Sequence, residues 1–302
     1  MAALPGWEGE DHATAFAVVR RACAESRRLA ASRACADALR HDRLGERAAK
    51  TLLERDFRAE PAGGEGLLTA YFAPTYDARH RRDREFCAPV RPAPADPASA
   101  PDRAGIDRWP TGEALAWMRP EDLFFLQVQG SGALVFPDGE RERAVFAASN
   151  GQPFVAIARP MIAEGLIAPA EAGQVHAWLA AHRGPDAEAA IALDPRYVFF
   201  RLIADDDGEP RGAAGVPLIP GRSVAIDTAA HPFFELLWID AGGGALPGAR
   251  AGYHRLAIAH DIGGAIKGPV RADLYIGRGP RAGEEAASVS AALRLYRIVP
   301  AD

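Results

Sequence analysis

Hydrophobic and polar positions divide the chain into a helical start, a mixed middle and a strand-rich end. Phe16, Val18 and Val19 recur among alanines, and Asp11 stands where a helix cap would. The pattern predicts helices from about Asp11 to Phe57. Gly66 to Pro74, GLLTAYFAP, switches to strand composition. Asp77 to Arg108 is rich in Arg, Pro and Ala and predicts extended structure or loop. DLFFLQVQGSGALVFPDGER, Asp122 to Arg141, predicts a hairpin whose first strand carries Phe125, Leu126 and Val128. In it, Gly130 and Gly132 mark a bend and Pro137 to Glu140 a turn.

Helices are expected near Ala156 to Gly165 and from Pro169 to His182, ending before Gly184 and Pro185. Arg196 to Leu202 is an apolar, aromatic strand. The polar run DDDGEPRGAAG from Asp205 marks a boundary. Beyond it, RSVAIDT, YHRLAIAHD and RADLYIG are three short strands with no good helix between them, as in a barrel or sandwich.

Composition narrows the function classes. The chain has 302 residues, enough for one large domain or two ordinary ones, and 48% are apolar. A formal net charge of -5 argues against duplex nucleic acid as partner. Lysine occurs only at Lys50 and Lys267. Cys23, Cys35 and Cys87 lack zinc spacing, and no metal is expected. Placed in one helix, Cys23 and Cys35 would lie roughly 18 Å apart, too far for a disulfide. No apolar run of about 20 residues predicts a membrane span. The first residues lack the basic start and apolar stretch of a signal peptide.

Strand alternation singles out three aspartates. Val224 and Ile226 share a face opposite Ala225 and Asp227. Leu256, Ile258 and His260 lie opposite Ala257, Ala259 and Asp261. Ala272, Leu274 and Ile276 lie opposite Arg271, Asp273 and Tyr275. Each aspartate thus falls away from the large aliphatic side chains of its strand. Such a face either meets water or lines a cleft. Between Asp261 and Asp273 lie Gly263, Gly264, Gly268 and Lys267, without the spacing of a nucleotide-binding P-loop. Gly277, Gly279 and Ala282 mimic a dinucleotide fingerprint, but too little chain follows for that fold, so no nucleotide or other cofactor is expected. Ser131 in QGSG is not in a nucleophile elbow and reads as a bend serine on pattern alone.

Several blocks occur in a fixed order: TAYFAP (Thr69 to Pro74), VQGSG (Val128 to Gly132), NGQPF (Asn150 to Phe154), YVFFR (Tyr197 to Arg201), GVPLIPGRSVAID (Gly215 to Asp227) and HDIGGAIKGPVRADLYIG (His260 to Gly277). From about Leu67 to Pro300 the chain resembles the membrane-bound lytic transglycosylase A family with its C-terminal three-aspartate domain. The resemblance implies a mainly β fold: a double-psi β-barrel over 1–74 and 206–302 with a helical N-terminal region, and an inserted second small β-barrel domain over 75–205. A groove between the two would bind one peptidoglycan glycan strand.

The implied reaction cleaves the β-1,4 bond between N-acetylmuramic acid and N-acetylglucosamine and closes a 1,6-anhydro ring without adding water. One aspartate protonates the glycosidic oxygen and then accepts the proton of the attacking C6 hydroxyl. By motif position that residue is Asp273, with Asp261 in support and Asp227 farther along the barrel wall. Tyr71, Gln129, Gly130, Ser131, Gly132, Lys267 and Asp227 are the implied substrate contacts. The alternatives are a non-catalytic glycan-binding barrel and a hydrolase using two of the aspartates.

The resemblance also implies a monomer in the cell envelope, in the periplasm or at the outer membrane, although the family's lipid-attachment cysteine has no visible counterpart. Two departures stand out. Ala70-Tyr71-Phe72-Ala73 replaces a Gly-Tyr-Tyr segment, and Arg271-Ala272 replaces His-Phe before the catalytic aspartate. Arg271 shares the face of Asp273, so its charge is expected to lower that carboxyl's pKa.

Overall fold

The computed structural model describes residues 1–110, 112, 114–168, 173–242 and 252–301. The chain divides into two compact units. The first comprises Met1–Phe72, Glu209–Gly277 and Arg281–Asp302; the second comprises Ala73–Gly208 and Arg278–Pro280.

The chain begins with α1 (His12–Glu25), α2 (Arg27–Ala30), α3 (Arg33–Ala38) and α4 (Glu46–Asp56). Asp11 caps α1 by accepting from the Thr14 N–H at 2.9 Å. Serines then break the helix that composition predicts as continuous. Ser26 ends α1 and accepts from Leu29 N, and Ser32 accepts from Cys35 N. The two caps fold the chain back on itself. Cys35 therefore returns to Cys23, with Cα atoms 5.2 Å apart, and the two form a disulfide. The expectation of two unbridged cysteines fails because the segment is three short helices, not one long one.

Two strands follow, β1 (Phe57–Pro61) and β2 (Gly66–Ala73). The second unit contains β3 (Thr75–Asp77), β4 (Ala88–Val90), α5 (Arg103–Asp107), β5 (Ala116–Met118), α6 (Pro120–Gln129), β6 (Ser131–Val135) and β7 (Arg141–Ser149). It continues with α7 (Ala158–Ala163), α8 (Gln174–Ala181), α9 (Pro185–Ile191) and β8 (Val198–Ala204). Its strands form a four-stranded sheet in the order β3-β6-β7-β8 and a β4-β5 ribbon.

The expected hairpin over Asp122 to Arg141 is half helix. Pro120 opens α6, with Glu121 and Asp122 in the first turn, and Gly130 closes it at φ 81°. The apolar run LFFLQV does not alternate, and its capping residues decide in favour of a helix. The expected start of a helix at Pro169 lies outside the described residues; α8 runs from Gln174.

The first unit resumes with β9 (Ser223–Ile226), β10 (Leu236–Gly242), β11 (Gly252–Ile262), β12 (Arg271–Arg278), α10 (Gly279–Ser288) and β13 (Ser290–Pro300). Pairing runs β13-β10-β11-β9-β12-β2, and β2 returns to β13, closing a six-stranded barrel. The mainly β architecture, with a helical N-terminal region beside the barrel, is the one the resemblance implies.

Alternation fills two cores. Leu68, Val224, Leu237, Ile239, Ala257, Ala259, Ala272 and Leu274 pack inside the barrel. Leu236, Trp238, Leu256 and Ile258 face outward against Phe16, Val19 and Leu53 of the helices. Burial of this apolar surface contributes about 25 cal/mol per Å².

Candidate active site

The central strand of the site is β9. Its Ala225 pairs with Asp261 of β11 on one side and with Asp273 of β12 on the other. Adjacent strands lie about 4.8 Å apart, so the two aspartates are roughly 10 Å apart at the backbone. Strict alternation would send Asp261 into the barrel behind Ala257 and Ala259. A register shift between Ala259 and Asp261 re-aims it instead. It lands on the outer face, where Thr69 and Tyr71 of β2 alternate with the inward residues Leu68 and Ala70.

The two carboxylates are held differently. Asp261 Oδ2 accepts from the Tyr71 hydroxyl at 2.7 Å, and its Oδ1 accepts from the Ala213 and Ile262 N–H groups, each at 2.9 Å. Asp273 Oδ1 accepts from the Thr69 hydroxyl at 2.5 Å. Asp273 Oδ2 has no hydrogen-bond partner among the described residues and is not a buried atom. Both oxygens of Asp261 are thus engaged by the protein, whereas Asp273 keeps one oxygen for another group.

Burial pushes both carboxyls above the ordinary aspartate range. For Asp261 the Tyr71 hydroxyl and two backbone N–H groups oppose the rise. For Asp273 the Thr69 hydroxyl and the Arg271 charge oppose it, and the Asp261 charge adds to it. Burial likewise pushes the Tyr71 hydroxyl well up, with Asp261 the next cause, so Tyr71 is a donor throughout the ordinary pH range.

Arg271 does not neutralise Asp273 through an ion pair. Its Nη1 donates to the Ala272 carbonyl at 2.7 Å and to the Leu67 carbonyl at 3.3 Å, and its Nη2 donates to Thr69 Oγ1 at 2.9 Å. Tyr275, also on β12, packs its ring 5.3 Å from that of Tyr71 and donates to Glu209 at 2.6 Å.

The remaining expected residues fall into two places. Asp227, just past β9, accepts from Gly268 N at 2.8 Å and from Ala229 N at 3.1 Å. The Gly268 N–H, and then that of Ala229, hold the Asp227 carboxyl below its usual range. Asp227 thereby pins the β11–β12 loop that carries the exposed Lys267. Gln129, Gly130, Ser131 and Gly132 join α6 to β6 in the second unit. A side chain at Gly132 would meet Leu126 at 2.9 Å and Tyr76 at 3.1 Å, so packing there requires glycine.

Sequence reasoning missed Thr69, Glu209 and the backbone donor of Ala213. Thr69 was legible: it stands two residues before Tyr71 on an alternating strand and therefore shares its face. Among the described residues, His80, Asp138 and Glu140 place possible metal ligands within 4.8 Å of one another, all exposed and none a predicted site residue.

The MltA specific insert domain matches residues 67–201, and the 3D domain matches residues 222–299. A membrane-bound lytic murein transglycosylase A of Vibrio cholerae is 33% identical over 232 residues. That match covers 74% of this chain but only 62% of the relative's length. Among solved structures, the lytic transglycosylase LtgG of Burkholderia pseudomallei is 32% identical with a TM-score of 0.68. The match covers all of this chain and 94% of that one. Escherichia coli MltA with bound chitohexaose is 25% identical with a TM-score of 0.78, over 96% of this chain and 90% of that one. The ordered motifs, the closed barrel and these matches place the chain in the membrane-bound lytic murein transglycosylase A family.

Proposed function

We propose that the chain is a peptidoglycan lytic transglycosylase in which Asp273 acts as acid and then as base. The observation that carries the assignment is the contrast between two neighbouring carboxyls. Asp261 accepts three hydrogen bonds from the protein, and Asp273 accepts one and keeps Oδ2 free.

In the first half of the reaction, Asp273 Oδ2 gives its proton to the glycosidic oxygen as the bond from that oxygen to C1 of the muramic residue breaks. Positive charge builds at C1. The C6 hydroxyl of the same sugar then attacks C1 and loses its proton to the Asp273 carboxylate. One bond is exchanged for another, no water is consumed, and the enzyme ends protonated as it began. The tethered hydroxyl replaces the water and second carboxylate that a hydrolase needs. Asp261, whose two oxygens take three protein donors, supports the positive charge at C1.

Tyr71 and Lys267, and Gln129 to Gly132 of the second unit, are the proposed sugar contacts, with Asp227 holding the Lys267 loop. The chitohexaose bound to the E. coli protein supports a glycan chain as ligand. The names of the relatives and the buried Cys23–Cys35 disulfide support an oxidising cell-envelope compartment. Among the described residues no helix is long and apolar enough to cross a membrane.

Digestion of purified peptidoglycan followed by mass spectrometry tests the reading. Fragments lighter by one water than hydrolytic products support it. Reducing ends support the two-aspartate hydrolase, and absence of release supports a binding barrel.

A further inference from the structure

We propose that Arg271 is a positioning residue that decides which oxygen of Asp273 carries the reactive proton. The inference rests on the reading of Asp273 as the acid.

A threonine hydroxyl has one proton to give, and an arginine has only donors. Arg271 Nη2, 2.9 Å from Thr69 Oγ1, must therefore donate to it. That contact occupies a lone pair of Oγ1 and leaves the hydroxyl proton for Asp273 Oδ1, 2.5 Å away. For Oγ1 to accept from a proton on Oδ1 with its second lone pair, its own proton would have to turn away from Asp273, where no acceptor stands among the described residues. When Asp273 is protonated, its proton is therefore favoured on Oδ2, the oxygen without a protein partner. With no donor behind Thr69, the hydroxyl could turn round and accept from a proton on Oδ1. The acid would then be protonated on the oxygen facing the protein.

The guanidinium is itself fixed, because Nη1 is held by the carbonyls of Leu67 on β2 and Ala272 on β12. A planar fork suits three separate acceptors, whereas a lysine is a mobile point charge. Arg271 thus orients Thr69, and Thr69 orients the acid.

The test is a double-mutant cycle on the full chain, read as kcat and KM for release of anhydro-ended products from soluble peptidoglycan strands. The variants are Arg271→Met, Thr69→Val and the pair, with Thr69→Ser as rescue. Each single change is expected to lower kcat about tenfold with KM nearly unchanged. The pair should be no worse than Thr69→Val alone, and Thr69→Ser should retain most of the activity. Losses that multiply, losses that fall on KM, or a Thr69→Ser as poor as Thr69→Val would overturn the inference.

Thermal unfolding of each variant separates a folding defect from this outcome. If Arg271→Met does not fold, Arg271→Lys takes its place in the cycle. A further loss from Arg271→Lys in the Thr69→Val background would then overturn the inference. Failure of the underlying reading looks different: the unaltered protein would release no anhydro ends, or Asp273→Asn would retain full activity.

Discussion

The hydroxyl of Tyr71 on β2 donates to Asp261 Oδ2 on β11 at 2.7 Å, tying two strands of the barrel across the face that also carries Asp273. Tyr71→Phe removes this donor and keeps the ring beside Tyr275. A hydrogen bond to a charged group is worth about 1.5–3 kcal/mol. Its loss should lower kcat/KM by about tenfold or more, because a less stabilised Asp261 anion supports C1 less well. Steady-state kinetics checks this. Activity equal to that of the unaltered protein would remove Asp261 from the mechanism.

Burial makes the Asp273 carboxyl costly to ionise, and the sign of that cost is testable. With its pKa raised in the folded state, the carboxyl supports folding fully below the ordinary aspartate pKa. That support is lost as pH rises through the folded value. Asp273→Asn keeps an oxygen for the Thr69 hydroxyl and cannot ionise. It should therefore melt higher than the unaltered protein at neutral pH, and the difference should vanish in acid. A lower melting temperature for the variant at neutral pH would contradict the burial argument. The same shift should place the alkaline limb of the pH–rate profile above the range of an ordinary carboxyl.

The Cys23–Cys35 disulfide closes a loop of sequence separation 12 between buried positions of α1 and α3. Thiol titration of the unfolded, unreduced protein should find one free cysteine, Cys87. Replacing Cys23 and Cys35 by alanine should cost about 3 kcal/mol, the entropy of a loop of this size. Three titratable thiols would disprove the bridge.

Asp227 is expected to act on the Lys267 loop. It is joined there by His231, whose Nε2 donates to the Pro269 carbonyl at 2.8 Å. Asp227→Ala should speed hydrogen exchange at the Gly268 amide and raise KM by several fold, with a far smaller loss of kcat than Asp273→Asn. Unchanged exchange at Gly268 would show that the loop holds itself.

The sequence made part of this site legible and hid the rest, for physical reasons. Alternation around Asp273 is regular, so its face could be read directly. Asp261 could not be placed that way, because a bulge beside it breaks the two-residue period. α6 was hidden because its apolar run fits a buried strand as well as a helix; Pro120 and Gly130 carried the signal. The disulfide was hidden behind serine caps that a composition reading merges into one helix. The direction of Arg271 lay in no motif at all, since it depends on the carbonyls of two paired strands.

The claim on which the rest depends is that Asp273 supplies and recovers the proton. It is tested most directly by digesting purified peptidoglycan with the unaltered protein and with Asp273→Asn, both shown to be folded, and weighing the products by mass spectrometry. The expected products are 1,6-anhydro ends from the first and no release from the second. Anhydro ends at full rate from Asp273→Asn would contradict it.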